Sequence, residues 1–186
     1  QATGTLAGHA GGGLWAVSLE LGSRMFFPRG TAQSVEDGKA RMKRALESGA
    51  GLEKLKEMIA AQGGDAGVCD DVTRLPQAKY LVPVPAPHDG YVADMDTTAI
   101  GYCAQDLGAG RKQKTDAIDP AVGLVMDVRI GDFVKQGDAL ATLHLNRMEL
   151  AEGAIARMQQ AVRLTSEKPA TPPLVYAAVS PEGVAR

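Results

Sequence analysis

A short basic loop is the part of this sequence whose residues are best suited to chemistry. In the run LGAGRKQKTDAID, two glycines accompany three cations: Gly108, Gly110, Arg111, Lys112 and Lys114. Cations and glycine at a helix C-terminus can be purely structural, because they stabilise its negative pole and end it. The functional alternative is a loop that closes over an anionic or polar ligand, since glycine permits hinge motion and close backbone approach. Asp116 and Asp119 are candidate ion-pair partners for these cations.

Other sequence patterns that carry chemistry do not occur. The chain has no glycine pattern typical of nucleotide-phosphate or dinucleotide binding, and no serine in a nucleophile elbow. Its three histidines, His9, His88 and His144, are far apart and lack the helical spacing of paired metal ligands. Glu149 and Glu152 would share a helix face, which a solvated surface explains. We therefore predict no metal site and assign no catalytic residue.

The composition is that of an ordinary globular protein. The 186 residues are 45% hydrophobic and 23% charged, with a formal net charge of -2, which argues against nucleic acid or an anionic membrane as a partner. No apolar run approaches the roughly 20 residues of a membrane span, and no secretory leader pattern opens the chain. A start at Gln1 rather than Met suggests a truncated or processed N-terminus.

Cys69 and Cys103 lack CxxC spacing, so we expect reduced structural thiols in a cytoplasmic protein, with a disulfide between them as the alternative.

The hydrophobic spacing predicts a helical N-terminal segment. Residues 1–13 are rich in Gly, Ala and Thr without a hydrophobic period, and we expect a flexible lead-in. Three amphipathic helices are predicted over 14–75, each needing a partner for its apolar face. Ser34 is the expected N-cap of the second helix. The predicted apolar stripe of the first helix is formed by Leu14, Val17, Leu21 and Met25.

From residue 76 onward the pattern changes towards β-strands. The prolines of AKYLVPVPAP confine this extended segment to the edge of a sheet or to a boundary between elements. Asp89–Gly90 predicts a tight turn into a strand, and Asp96 or Thr97 is expected to begin a helix that ends at Gly108 or Gly110. The remaining predicted elements are strands at Leu124–Val128 and Ala139–His144, a helix that buries Ala151, Ile155, Met158 and Val162, and a final strand LVYAAV.

Several of these runs resemble the C-terminal part of the pyrimidine nucleoside phosphorylases, the family that includes thymidine phosphorylase. GAGR with the following DAID and AVG is similar to the C-terminal signature of the family, SVEDGKARMKRALESGAGLEKLKEMIAAQGGD to its helical segment, and LPQAKYLVPVPAPHDGYVADM to the entry of its C-terminal domain. The resemblance runs from Leu14 to Val179. It implies an α+β fold: a helical segment (14–75) that ends the catalytic α/β domain, then an α/β-hammerhead-like C-terminal domain (76–186) with a barrel-sandwich element.

The resemblance also implies a function for the longer protein. Enzymes of this family split pyrimidine nucleosides such as thymidine or uridine with phosphate, giving free base and pentose 1-phosphate. Phosphate is a co-substrate, no cofactor is implied, and a cytoplasmic homodimer of nucleoside salvage is expected. The family's Lys-His-Ser-Thr-Gly-Gly phosphate motif does not occur here. We therefore expect this chain alone to be inactive and to contribute domain closure, with the Gly108–Lys114 loop near the cleft.

A second hypothesis comes from the hairpin IGDFVKQGDALATLH. Its Gly-Asp-x-Val-x-x-Gly spacing also occurs in biotinyl and lipoyl carrier domains, which would make the chain a non-enzymatic carrier or interaction module. Such domains project a target lysine from a separate exposed hairpin. The turn at Asp89–Gly90 has no lysine, and Lys135 lies in the wrong turn, so the sequence favours the enzyme.

Overall fold

The computed structural model describes residues 2–6, 13–26, 30–180 and 183–185. The chain divides into two compact units, one formed by Gln1–Arg74 with Pro173–Arg186 and the other by Leu75–Pro172. The first unit is mainly helical and the second combines sheets with helices. This mixture confirms the predicted α+β class, whereas the assignment of 1–13, 14–75 and 76–186 to family domains stays a prediction.

Four helices form most of the described part of the first unit. They are α1 (Ala2–Leu6), α2 (Gly13–Phe26), α3 (Val35–Glu47) and α4 (Ala50–Ala61). The predicted N-cap of α3 is confirmed, because the Ser34 hydroxyl oxygen accepts a hydrogen bond from the Asp37 N–H at 3.1 Å. Short 3₁₀ turns follow α4 at Ala66–Cys69 and Val72–Arg74.

The predicted burial of the α2 stripe is wrong. Leu21 and Met25 are 57% and 71% exposed. The residue of α2 that is fully buried is instead Ser23. A Cβ on Gly38 of α3 would lie 2.8 Å from the Ser23 carbonyl oxygen, so the two helices approach closely only because that position is glycine. Small residues rather than the apolar stripe therefore set this helix contact.

Six strands of the second unit form two antiparallel three-stranded sheets. They are β1 (Tyr80–Pro85), β2 (Gly90–Met95), β3 (Gly123–Met126), β4 (Phe133–Val134), β5 (Ala139–Leu145) and β6 (Val162–Thr165). The strand orders are β1-β5-β3 and β4-β2-β6. As predicted, the proline-containing segment is an edge strand, with Pro83 paired opposite Thr142.

One face of the β1-β5-β3 sheet is buried. Val84 and Leu143 are fully buried, and they belong to one hydrophobic cluster with residues of the two helices of this unit, α5 (Thr97–Ala104) and α6 (Ala151–Ala161). The opposite face is open, since Leu81 is 63% exposed. This alternation is the period-two pattern of a strand with one buried face.

Helix α6 buries a narrower face than its sequence pattern predicts. Met158 is fully buried and Ala154 nearly so, whereas Ile155 is only half-buried. Val162 is not helical, because it begins β6 and pairs with Met95 of β2. The β-branched valine fits a strand, and the cross-strand pairing outweighs the helical spacing.

The two ends of the chain also depart from expectation. The predicted lead-in contains the short helix α1, while residues 7–12 lie outside the described residues, so its flexibility stays a prediction. The predicted strand LVYAAV is wrong over most of its length, because residues 174–177 have no regular structure. Strand β7 covers Ala178–Ser180 and pairs with β8 (Gly183–Ala185). In the described part of the chain, no helix is both long and apolar enough to cross a membrane.

Candidate functional site

The predicted closing loop begins where α5 ends. The Asp96 carboxylate accepts a hydrogen bond from the Ala99 N–H at 2.9 Å and thereby caps the start of α5. The helix then widens into a π-helical turn over Gln105–Ala109, in which Gly108 has a φ of 109°. This φ is strained for residues with a Cβ, so Gly108 is the residue that ends the helix. Gly110 is extended, with a φ of -149°.

Asp119 holds the base of the loop together. Its backbone N–H donates to the Gly108 carbonyl oxygen at 3.0 Å, which joins the two ends of the loop. Its carboxylate accepts the Ala121 N–H at 3.0 Å and the Asn146 side-chain amide at 2.7 Å. These two donors lower the pKa of Asp119. The Asn146 amide oxygen in turn accepts the Lys79 N–H at 2.9 Å, in the segment that enters β1. We call the hydrogen bonds of Asp119 with Gly108, Ala121 and Asn146 the Asp119 clamp.

Asp116 shapes the loop from within. Its carboxylate accepts the backbone N–H groups of Lys112 and Gln113 at 3.0 and 2.9 Å. The Gln105 side-chain amide donates to the Arg111 carbonyl oxygen. The suggestion that Asp116 and Asp119 are ion-pair partners of the basic residues is therefore wrong, because both carboxylates bind N–H groups of neutral amides.

The three loop cations have different surroundings. Lys112 forms a salt bridge with Asp106 of the π-helical turn, and the other oxygen of that carboxylate binds Arg157 of α6. Arg111 and Lys114 are exposed and form no ion pair among the described residues. One cation of the predicted set, Lys112, is thus ion-paired, and the other two are not paired among the described residues.

Two cavities adjoin this region. One of about 310 Å³ is an open groove along α5, lined in part by Thr98, Tyr102 and Gly110. Tyr102 is 59% exposed, so an aromatic ring lies beside the loop. The second, of about 340 Å³, lies between the end of α5, Lys112 and the start of α6.

The remaining polar candidates do not gather into a site. Among the described residues, no three His, Cys, Asp or Glu side chains are placed to hold a metal ion. His88 is exposed in the turn before β2, and His144 lies on β5; His9 lies outside the described residues. Both cysteines are free and buried, as predicted. Burial raises the pKa of Cys103, although the charge of Arg157 opposes this effect.

Comparison with known proteins identifies the segment that carries the loop. The family described as pyrimidine nucleoside phosphorylase C-terminal domain matches residues 91–165. This segment of the chain is similar to the C-terminal domain of the pyrimidine nucleoside phosphorylases. The matched segment begins in β2 and ends with β6, and its first and last residues, Tyr91 and Thr165, are cross-strand partners. It contains the whole loop, its Asp119 clamp and the rim of the 340 Å³ cavity.

Curated relatives extend the similarity beyond this domain. The pyrimidine-nucleoside phosphorylase of Geobacillus stearothermophilus is 38% identical over 180 residues, which cover 97% of this chain and 41% of the relative. That of Bacillus subtilis (strain 168) is 36% identical over the same coverage. The protein of that name from Staphylococcus aureus (strain bovine RF122 / ET3-1) is 42% identical over 150 residues, covering 81% of the chain and 35% of the relative. The chain therefore spans about two fifths of the length of these phosphorylases.

None of these comparisons supports the carrier hypothesis. The turn geometry gives it no support either. The Lys135 N–H donates to Asp138, and the adjacent Gln136 N–H donates to Asp89 at 2.7 Å, so the backbone of this turn is fixed to the turn before β2. A carrier lysine instead requires an isolated, projecting hairpin tip.

Sequence reasoning missed two residues of the loop region. Asp106 and Arg157 are 51 positions apart, and their pairing depends on the packing of α5 against α6. A weak signal was available for Asp106, since it lies six residues before Lys112, in the turn that ends the helix. No pattern in the sequence indicated Arg157.

Proposed function

We propose that this chain is the C-terminal part of an enzyme that splits pyrimidine nucleosides with phosphate, and that its basic loop takes part in domain closure over the substrates. The observation that carries the proposal is the similarity to proteins named pyrimidine-nucleoside phosphorylase over 97% of the chain. The enzyme would be a pentosyltransferase that converts thymidine, uridine or both into free base and pentose 1-phosphate.

The chemistry explains why a cationic loop would be useful. In such a reaction phosphate attacks the sugar while the base leaves as an anion, through a transition state resembling an oxocarbenium ion. Cations that approach either anion during closure lower the barrier, especially where water is excluded. Arg111 and Lys114 are exposed and carry no ion pair among the described residues, so they are the loop charges available for this role. Lys112, held by Asp106, would instead fix the position of the loop.

Further features of the whole protein belong to the same proposal. We infer a cytoplasmic homodimer that uses phosphate as co-substrate, needs no cofactor and binds neither nucleic acid nor membrane. The net charge of -2 and the two free, buried thiols agree with this inference. For the second unit we propose a hammerhead-like fold with a barrel-sandwich element, on the grounds that two three-stranded sheets share one core with α5 and α6.

The role of the loop can be tested by Arg111→Ala in a longer version of the protein that also contains the rest of the family's length. We expect kcat to fall at least about tenfold, equivalent to about 1.4 kcal/mol of lost transition-state stabilisation, with an unchanged unfolding midpoint. Arg163→Ala, which removes an exposed arginine of β6, is the matched control and should leave kcat unchanged. Equal kcat values for Arg111→Ala and the unmodified enzyme would remove Arg111 from the mechanism.

A further inference from the structure

The 340 Å³ cavity has an apolar floor and a charged rim. The floor is formed by Cys103, Leu107, Leu150 and Ala154, and the rim by Lys112, Arg147, Arg157, Asp106 and Glu149. Its volume falls within the roughly 300–1,000 Å³ typical of small-molecule sites. Such sites combine apolar walls with a few polar groups that orient the ligand, and this cavity has the same composition.

The rim holds more positive charge than its carboxylates neutralise. Three cations face two acids, which leaves an excess of one positive charge (3 − 2). Asp106 already binds both Lys112 and Arg157. Arg147 forms no ion pair or side-chain hydrogen bond among the described residues, so its five N–H donors are unused by the described protein groups.

The start of α6 leaves room on one side of this rim. Gly153 lines the cavity, and a Cβ built on it would meet no atom within 4 Å. Leu150, the residue before α6, provides no side-chain cap. The positive pole of the helix therefore lies near the same space as the arginines and adds to the attraction for an anion.

We propose that this cavity binds a small phosphorylated molecule, and that Arg147 and Arg157 donate hydrogen bonds to its phosphate oxygens. Arginine suits this task because its planar guanidinium can donate two parallel hydrogen bonds to a phosphate. The carboxylate of Glu149, on the same rim, can accept hydrogen bonds from hydroxyl groups of the ligand. The combination fits a sugar phosphate better than a bare anion. Binding does not depend on the enzymatic function proposed above, because the site lies within this chain.

The proposal can be tested by titrating the chain with two probes, inorganic phosphate and ribose 5-phosphate, at low ionic strength. Amide chemical shifts of Lys112, Leu150 and Gly153 should move and saturate with either probe, with ribose 5-phosphate binding more tightly. Uncharged ribose should give no saturable shift. Tighter binding of ribose 5-phosphate assigns the site to sugar phosphates, whereas equal affinities support a phosphate site and overturn the role of Glu149.

Two variants separate the cavity from general charge effects. Arg147→Ala should weaken ribose 5-phosphate binding at least tenfold, and its fold should persist because the side chain is exposed and unpaired among the described residues. Gly153→Leu should abolish binding without changing any charge, since a leucine would fill the open space and is favourable in a helix. Arg163→Ala is the matched charge control and should bind as the unmodified chain does. Equal affinity in Arg147→Ala and Arg163→Ala, or no saturable shift in the unmodified chain, would overturn the proposal.

Discussion

Truncation of Met158 is a direct test of how the second unit is held together. Its side chain is fully buried and belongs to the same hydrophobic cluster as Leu140 and Leu143 of β5. Met158→Ala removes the sulfur and the carbons on either side of it. Buried large-to-small changes of this kind cost about 2–5 kcal/mol, depending on how far the site can collapse. We expect the upper half of that range, because the neighbouring buried residues of α6 are Ala154 and Ala161, which cannot extend into the cavity.

The measurement should report the second unit alone. Trp15 belongs to the first unit, so tryptophan fluorescence would follow the wrong part of the chain. Native-state hydrogen exchange of the amides of β5 is suitable, because this strand is hydrogen-bonded to β1 on one side and β3 on the other. The free energy of opening at these amides should fall in Met158→Ala by the amount given above.

Three control variants make the result interpretable. Met158→Leu nearly conserves volume and should cost less than about 1.5 kcal/mol. Gln160→Ala changes an exposed residue of α6 and should stay within about 0.5 kcal/mol. Ile155→Ala should cost less than Met158→Ala, since Ile155 is only half-buried. If Met158→Ala costs no more than Gln160→Ala, the packing of α6 against the sheets is not as described.

The remaining predictions concern a cap, a carboxylate and the activity of the chain. Ser34→Ala should destabilise the first unit by about 1 kcal/mol in urea unfolding followed by Trp15 fluorescence. Ser48→Ala should have a smaller effect, because the hydrogen bonds of the Ser48 hydroxyl are long, at 3.4 and 3.5 Å. The hydrogen bonds to the Asp119 carboxylate lower its pKa in the folded protein. The carboxylate therefore stabilises the fold at a pH above the pKa of an unfolded aspartate, about 3.9, and this stabilisation is lost as the pH falls through the lower pKa of the folded protein. Between pH 5 and 2, about one pH unit above that pKa and two below it, the free energy of unfolding should therefore fall less in Asp119→Asn than in the unmodified chain. The same dependence of unfolding free energy on pH in both proteins would contradict the lowered pKa of Asp119. The purified chain, incubated with thymidine or uridine and phosphate, should release no free base above the blank, and release proportional to protein would refute the expected inactivity.

Features governed by local hydrogen bonds were predictable from the sequence. Ser34 and Asp96 cap their helices as expected, because a short polar side chain can satisfy an N–H in the first turn of its own helix. Gly108 ends α5 because a left-handed residue is needed there. The proline-containing strand β1 lies at a sheet edge because its prolines cannot donate to a ladder. Each of these features needs only a few neighbouring residues.

Features that depend on distant partners were not predictable in the same way. The spacing of Ile155 and Val162 fits a helix face, yet Val162 pairs with Met95, 67 positions earlier, and becomes a strand. Leu21 fits a buried stripe but is mostly exposed, whereas Ser23 of α2 is fully buried and lies close to Gly38 of α3. A single-sequence pattern indicates that a face is apolar but does not indicate which surface will cover it.

The basic loop was predictable from the sequence in its residues but not in its ion pairs, which depend on distant partners. Its glycines and cations were found from the sequence, but sequence alone treats Arg111, Lys112 and Lys114 as one cluster. Asp106 separates them, because its carboxylate, in the turn that follows α5, binds Lys112 and also Arg157 of α6. In the closure proposed above, Arg111 and Lys114 are the loop cations that would approach a substrate without first breaking an ion pair among the described residues. Lys112 also lines the 340 Å³ cavity, so an anion bound there would compete with Asp106 for the residue that anchors the loop.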